Sequence, residues 1–199
     1  MEYKIFGKWD PNVEFTNLAM KDYINLSPRI VFHTAGRLKK EYLYKKKVHI
    51  IERLINNLMR GGTGKKIGGR VIRGRKGPGK KIKMYKIVEQ AFDIIHERTG
   101  ENPVQLFIRA LENAAPREET TRVRYGGVLY HIAVDVSPQR AVDLALRHIG
   151  KAVAIRSFNT KKSAAEALAE EIILAANNDP QSFAISRKNE IERIAMSSR

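Results

Sequence analysis

The 199-residue chain contains no cysteine. Disulfides, thiolate zinc sites and a cysteine nucleophile are excluded together, and the composition fits a reducing cytosol. No apolar run approaches the roughly 18 residues that a membrane-spanning helix needs, and Met1-Glu2-Tyr3-Lys4 opens no signal-peptide core. Acid is scarce in one place. Between Arg37 and Lys86 only Glu41 and Glu52 stand against 18 lysines and arginines.

That scarcity sets the electrostatics of the molecule. The segment carries +16, the whole formal net charge, while the remaining residues balance 19 basic against 19 acidic side chains. A near-neutral body joined to a strongly cationic segment is the pattern of a protein that docks on a polyanion. With no counter-ion at hand in the sequence, mutual repulsion disfavours compact order there unless phosphates neutralise it. An anionic membrane or heparin offers the same sign of charge, but membrane binding calls for cations on the polar face of an amphipathic helix. Here many of them lie in a glycine-rich stretch, so RNA or DNA is the expected partner. Glycine lets the backbone lie close to phosphates, and arginine adds forked hydrogen bonds. Tyr42, Tyr44 and Tyr85 are available to stack, although a core role suits them equally.

The hydrophobic fraction of 43% supports a real core. Residues 1–46 read as an irregular N-terminal basic arm, punctuated by Trp9, Asp10-Pro11 and Ser27-Pro28, with a weak helical pattern around 16–25; it is expected to lie on something. Residues 47–199 read as a helical domain. Val48, Ile51, Leu54, Ile55, Leu58 and Met59 fall at helical intervals and stop at Gly61-Gly62. Eight of the chain's 14 glycines lie in 61–79, interleaved with lysine and arginine, which predicts a mobile cationic loop over 61–81. Helices are then expected at about 82–98, from Asn102-Pro103 to before Pro116, from Ser137-Pro138 onward, at about 161–177, and at about 186–196. Between them the period changes to two. Thr121, Val123 and Tyr125, then Gly126-Gly127, then Val128, Tyr130, Ile132 and Val134 predict a β-hairpin over 118–136 with a primed turn. Its base is expected to pack on helices while its tip projects. The fold class is mainly α, a bundle of about six helices with one inserted hairpin.

Catalytic chemistry finds little support. Gly64-Lys65 has Met59 and Lys66 where a phosphate-binding loop needs glycine and a hydroxyl. The five histidines, 33, 49, 96, 131 and 148, are scattered, and each reads as satisfied or solvent-facing rather than as a metal ligand. Glu118-Glu119 and Glu170-Glu171 are adjacent, so their carboxylates diverge. No zinc finger, basic zipper or RRM aromatic motif is present, which points to recognition of shape and phosphate rather than of base sequence. No enzyme, cofactor or metal is expected. Two rival readings are a DNA-architectural protein that inserts the hairpin in a groove, and an RNA-modifying or cleaving enzyme, for which no convergent acid–base set is found.

Several motifs, in order, are familiar: Phe6-Gly7-Lys8-Trp9, His33-Thr34-Ala35-Gly36-Arg37, Gly100-Glu101-Asn102-Pro103 and Ala133-Val134-Asp135-Val136-Ser137-Pro138. The chain resembles small-subunit ribosomal protein S-seven from about Tyr3 to Arg199, and its end from Ile185 looks like the archaeal and eukaryotic branch. The resemblance implies a cytoplasmic, non-enzymatic, primary ribosomal RNA binder that nucleates assembly of the small-subunit head. It implies a grip on a multi-helix junction of the 3′ major domain, a hairpin near exit-site messenger and transfer RNA, and small-subunit protein S-eleven as a neighbour. By position, rRNA contact falls to Arg37, Lys39, Lys40, Lys45, Lys46, Lys47, Lys65, Lys66, Arg70, Arg73, Arg75, Lys76, Lys80, Lys81, Lys83 and Arg140. The exit-site role falls to Arg122, Arg124, Tyr125, Gly126, Gly127 and His131. The loop 61–81 looks longer than the usual family connection, so its RNA contact is read from charge alone.

Overall fold

The structure, a computed structural model, describes residues 4–37, 43–60, 79–199 and the backbone of 66–67 and 70–71. Among these are eight helices, six of them nine residues or longer: α3 (Ile50–Leu58), α4 (Lys81–Thr99), α5 (Pro103–Ala114), α6 (Pro138–Ser157), α7 (Ala164–Ala176) and α8 (Phe183–Met196). Two single-turn helices precede them, α1 (Leu18–Lys21) and α2 (Tyr44–Lys47). The mainly α bundle with an inserted hairpin is as the sequence predicts. The expected mobile loop over 61–81 falls mostly outside the described residues. Its described parts are an antiparallel pair of two-residue strands, β1 (Lys66–Ile67) and β2 (Arg70–Val71), and residues 79–81, of which Lys81 already begins α4.

Helix α7 is the centre of the bundle, packing on α4, α5 and α6. Its sequence explains why. Ala165, Ala167, Ala169, Ala175 and Ala176 are buried around Leu168 and Ile172, and small side chains let several neighbouring helices approach at once. The helix starts in a capping box, Ser163 Oγ accepting from Glu166 N at 3.1 Å while Glu166 accepts from Ser163 N at 3.0 Å. Phe92 from α4, Phe107, Ile108 and Leu111 from α5, and Leu146 from α6 complete a fully buried core. Each such side chain contributes about 1.5–3 kcal/mol relative to exposure.

The N-terminal segment lies on this core, and its apolar side chains enter it. Ile5, Phe6, Met20, Ile24 and Phe32 are buried in the same cluster as the helices. Phe6 meets Phe32, Tyr85 and Phe92 edge-on, with ring centroids 4.8–5.8 Å apart. A tight turn delivers it: Phe6 and Gly7 both have positive φ (54° and 71°), and Ile5 and Trp9 pair across them. Asn102 caps α5 by accepting from Val104 N and also donates to the Asp10 carbonyl at 3.0 Å, fastening the segment to the bundle.

The hairpin joins β3 (Glu118–Tyr125) to β4 (Val128–Asp135) in a register that pairs Tyr125 with Val128 across Gly126-Gly127. Both glycines have positive φ, 56° and 86°, with open space where a Cβ would be. Conformation, and not crowding, demands glycine there. The hairpin base packs on α8.

Candidate nucleic-acid interface

Helix α3 crosses α6, and beside that crossing lies a cleft of about 430 Å³. Glu52, Arg53, Asn56 and Asn57 reach it from successive turns of α3, with Arg60 just past that helix's end, and Asp143 and Arg147 reach it from α6. Thr34 and Gly36 from the N-terminal segment, Tyr44 and Lys45 from α2, Val48 just after it, and Lys81 at the start of α4 close the remaining sides. Gly36 and Tyr44 stand on either side of residues 37–43, and Arg60 and Lys81 on either side of 61–80. Two cationic stretches of the sequence, with three and seven lysines and arginines, are therefore flanked by residues of one cleft.

The cations within it are partly compensated, which corrects the expectation drawn from the sequence. Asp143, 90 residues from Arg53, pairs with Arg53 at 3.0 Å and also with Lys45. Lys81 Nζ donates to Glu52 Oε1 at 2.5 Å, and Thr34 donates to the same oxygen through its amide (3.0 Å) and hydroxyl (3.1 Å). Burial opposes ionisation of Glu52, but these donors outweigh it and hold its carboxyl below the usual range. Burial lowers the Arg53 pKa, with Asp143 opposing. Arg60 and Arg147 are exposed and have no acidic partner among the described residues.

The hairpin offers a second surface of different character. Its register puts Arg122, Arg124, Leu129 and His131 on one face, and Val123, Tyr125, Val128, Tyr130 and Ile132 on the other. Both faces are exposed, Tyr125 by 79%. The base is fixed ionically. Arg140 grips Glu119 with two bonds, Nε to Oε1 at 2.5 Å and Nη2 to Oε2 at 2.8 Å, and the Glu119 hydrogen bond raises the Arg140 pKa. Arg199 pairs with Glu118, and Glu192 of α8 accepts from Arg117 N at 2.9 Å.

A cationic cleft at a helix crossing and a projecting two-faced ribbon meet in one small helical body, and the family comparison agrees with them: the model described as ribosomal protein S7p/S5e matches residues 20–199. The chain belongs to the ribosomal protein S7p/S5e family. Its place is the small ribosomal subunit, as a structural constituent that binds the subunit's RNA. Family members are structural RNA-binding proteins, not enzymes. No helix among the described residues is long and apolar enough to cross a membrane.

The predicted RNA-contact residues divide among several fates. Lys45 and Lys81 line the cleft, each in an ion pair. Lys46 sits over the Tyr23 ring at 5.6 Å, and Lys47 closes α2. Arg37, Lys80 and Lys83 are exposed, Lys80 as the residue that precedes α4. Lys39, Lys40, Lys65, Arg73, Arg75 and Lys76 lie outside the described residues, and Lys66 and Arg70 stand in the β1–β2 pair. Arg140 is held by Glu119 at the hairpin base, while Arg122, Arg124 and His131 are free to meet a partner on the exposed ribbon. Sequence reasoning missed Asn56, Arg60 and Arg147 as cleft residues. The only local signal was spacing: Arg60 follows Asn56, and Arg147 follows Asp143, by four residues. His49 and His148 are not solvent-facing, and His49 is satisfied at one nitrogen only, its Nδ1 accepting from Ile51 N at 3.2 Å at the start of α3. Both are buried, and each keeps one ring nitrogen unpartnered. Burial, reinforced by nearby cations, lowers both imidazoles to about 4.

Proposed function

We propose that this protein is a primary rRNA binder that nucleates assembly of the small-subunit head in the cytoplasm. In this reading the helical domain, 47–199, and the basic segment, 1–46, grip a multi-helix junction in the 3′ major domain. Phosphate neutralisation supplies affinity and the folded helices set the geometry of the junction. Contacts fall to Arg37, Lys39, Lys40, Lys45–Lys47, to the cations of 65–83, and to Arg140. The hairpin, with Arg122, Arg124, Tyr125, Gly126, Gly127 and His131, lies near outgoing messenger and departing transfer RNA at the exit site, and small-subunit protein S-eleven is a neighbour.

The observation that carries this reading is the convergence of both cationic stretches on one cleft, flanked by Gly36 and Tyr44 and by Arg60 and Lys81. A surface built only to solvate its charge has no need to bring them together. The test is a salt titration of binding to a 3′ major domain transcript, with duplex DNA as the control. Log affinity for the transcript should fall linearly with log salt, with a slope of about −0.7 to −0.9 per phosphate neutralised. Equal affinity for the DNA, or a flat salt response, would overturn the reading.

A further inference from the structure

The cleft beside the α3–α6 crossing differs from a flat cationic surface by being a half-open hollow. Its volume of about 430 Å³ lies within the range of pockets that enclose a small ligand, roughly 300–1,000 Å³. A phosphodiester strand running over a surface needs no such hollow. The charges inside also sort into two groups. Both carboxylates are engaged, Asp143 by Lys45 and Arg53, Glu52 by Lys81 and Thr34. Arg60, Arg147 and the Asn56 carboxamide have no side-chain partner among the described residues.

These unengaged groups define a ligand. Two exposed guanidiniums at the rim suit a phosphate, which arginine binds through forked hydrogen bonds. A carboxamide carries both donors and an acceptor, so it can pair with the edge of a base. Tyr44, half-buried, and Val48, buried, give the cleft an apolar and aromatic wall. Phosphate site, polar reader and flat wall together describe a nucleotide. RNA supplies one readily, because unpaired junction bases splay out and stack on protein side chains.

We propose that this cleft seats a single nucleotide extruded from the RNA, with its phosphate on Arg60 and Arg147 and its base between the Tyr44–Val48 wall and Asn56. The inference rests on the rRNA-binding reading and adds to it one position at which the protein holds a base as well as the backbone.

The test uses the full-length protein, a 3′ major domain transcript and an Asn56→Trp variant, which fills the cleft without removing a charge. Asn56 is exposed, so the variant is expected to fold, and its circular dichroism melt checks this. Ribose acylation, read nucleotide by nucleotide, should show one unpaired junction position altered by the wild-type protein. With Asn56→Trp that position should revert while the rest of the footprint stays, and affinity should drop about tenfold. A Tyr44→Ala variant should give the same local reversion with a smaller loss. Wild-type affinity and footprint in both variants would overturn the nucleotide site and leave the rRNA reading intact. Failure of the wild-type protein to bind the transcript would overturn both. Release of the transcript by millimolar nucleoside monophosphates would overturn the extruded nucleotide in favour of a free one.

Discussion

Arg53 Nη2 of α3 donates to Asp143 Oδ1 of α6 at 3.0 Å, and the guanidinium that makes this bond is almost wholly buried. The arginine also donates to the Tyr23 carbonyl at 2.8 Å. One side chain thus ties the N-terminal segment, α3 and α6 together at the edge of the cleft. It does so with a charge that burial alone disfavours.

Removing the carboxylate should therefore be expensive. Asp143→Ala leaves the buried Arg53 unpaired and frees Lys45, and the expected loss is about 3 kcal/mol of unfolding free energy, read from urea denaturation of the free protein. A loss under about 0.5 kcal/mol, the range of an ordinary surface substitution, would show that the pair contributes nothing to the fold.

A second buried acid governs the far end of the bundle. Glu171 of α7 is fully buried, accepts from Ser182 Oγ (2.7 Å), the cap of α8, and from Ala184 N (2.9 Å) in its first turn, and pairs with Arg156 Nε at 3.0 Å. Glu171→Ala should cost about 3 kcal/mol. Because α8 supports the hairpin base, amide exchange should quicken in α8 and near Glu118 before it does in α5. Uniform acceleration across the bundle would count against this local role.

Acid should weaken the fold in two stages. His49 and His148 sit at about 4 in the folded protein against an ordinary value of 6.5. Between those values the unfolded chain binds more protons than the folded one, so stability is full above about pH 6.5 and falls as pH drops toward 4. The loss is roughly 3 kcal/mol per histidine at most. Glu52 and Glu170, whose carboxyls are held low, add to it only below the ordinary carboxylate value of 4.5. Unfolding midpoints measured from pH 7 to pH 4 test this, and replacing either histidine by glutamine should flatten the upper stage. A midpoint constant down to pH 4.5 would contradict it.

The hairpin should separate binding from function. Excising Tyr125–Leu129 removes the tip without touching the cleft or the ionic clamp at the base, so affinity for the rRNA transcript should stay within about twofold. Exit-site behaviour, measured as reading-frame maintenance in translation, should change. Loss of subunit assembly instead would make the tip a structural anchor.

Local pattern made much of this legible. The helices read correctly from their apolar intervals because each buries one stripe, and the hairpin read correctly because Gly126-Gly127 breaks a period-two run in which both strands alternate. Helix ends were less visible. The last helix begins at Phe183 and not near Ser186, since its start is set by the Ser182 cap and by Glu171, eleven residues upstream. The N-terminal segment was the hardest to read. Its buried residues, Ile5, Phe6, Met20, Ile24 and Phe32, follow no sustained helical or strand period, because only Met20 lies in a helix, the single turn α1, and the others enter the core from a turn or irregular backbone.

The helical class, the hairpin and the concentration of positive charge between Arg37 and Lys86 depend on composition and on contacts within a few residues, so they are legible along the chain. Which of those charges are neutralised, and where the cationic stretches meet, is settled by the packing of distant helices. Asp143 lies about 90 residues from the arginine it pairs with, and no local pattern announces a partner at that separation. Coulomb attraction and burial act through space, so the cleft exists only once α6 has packed against α3.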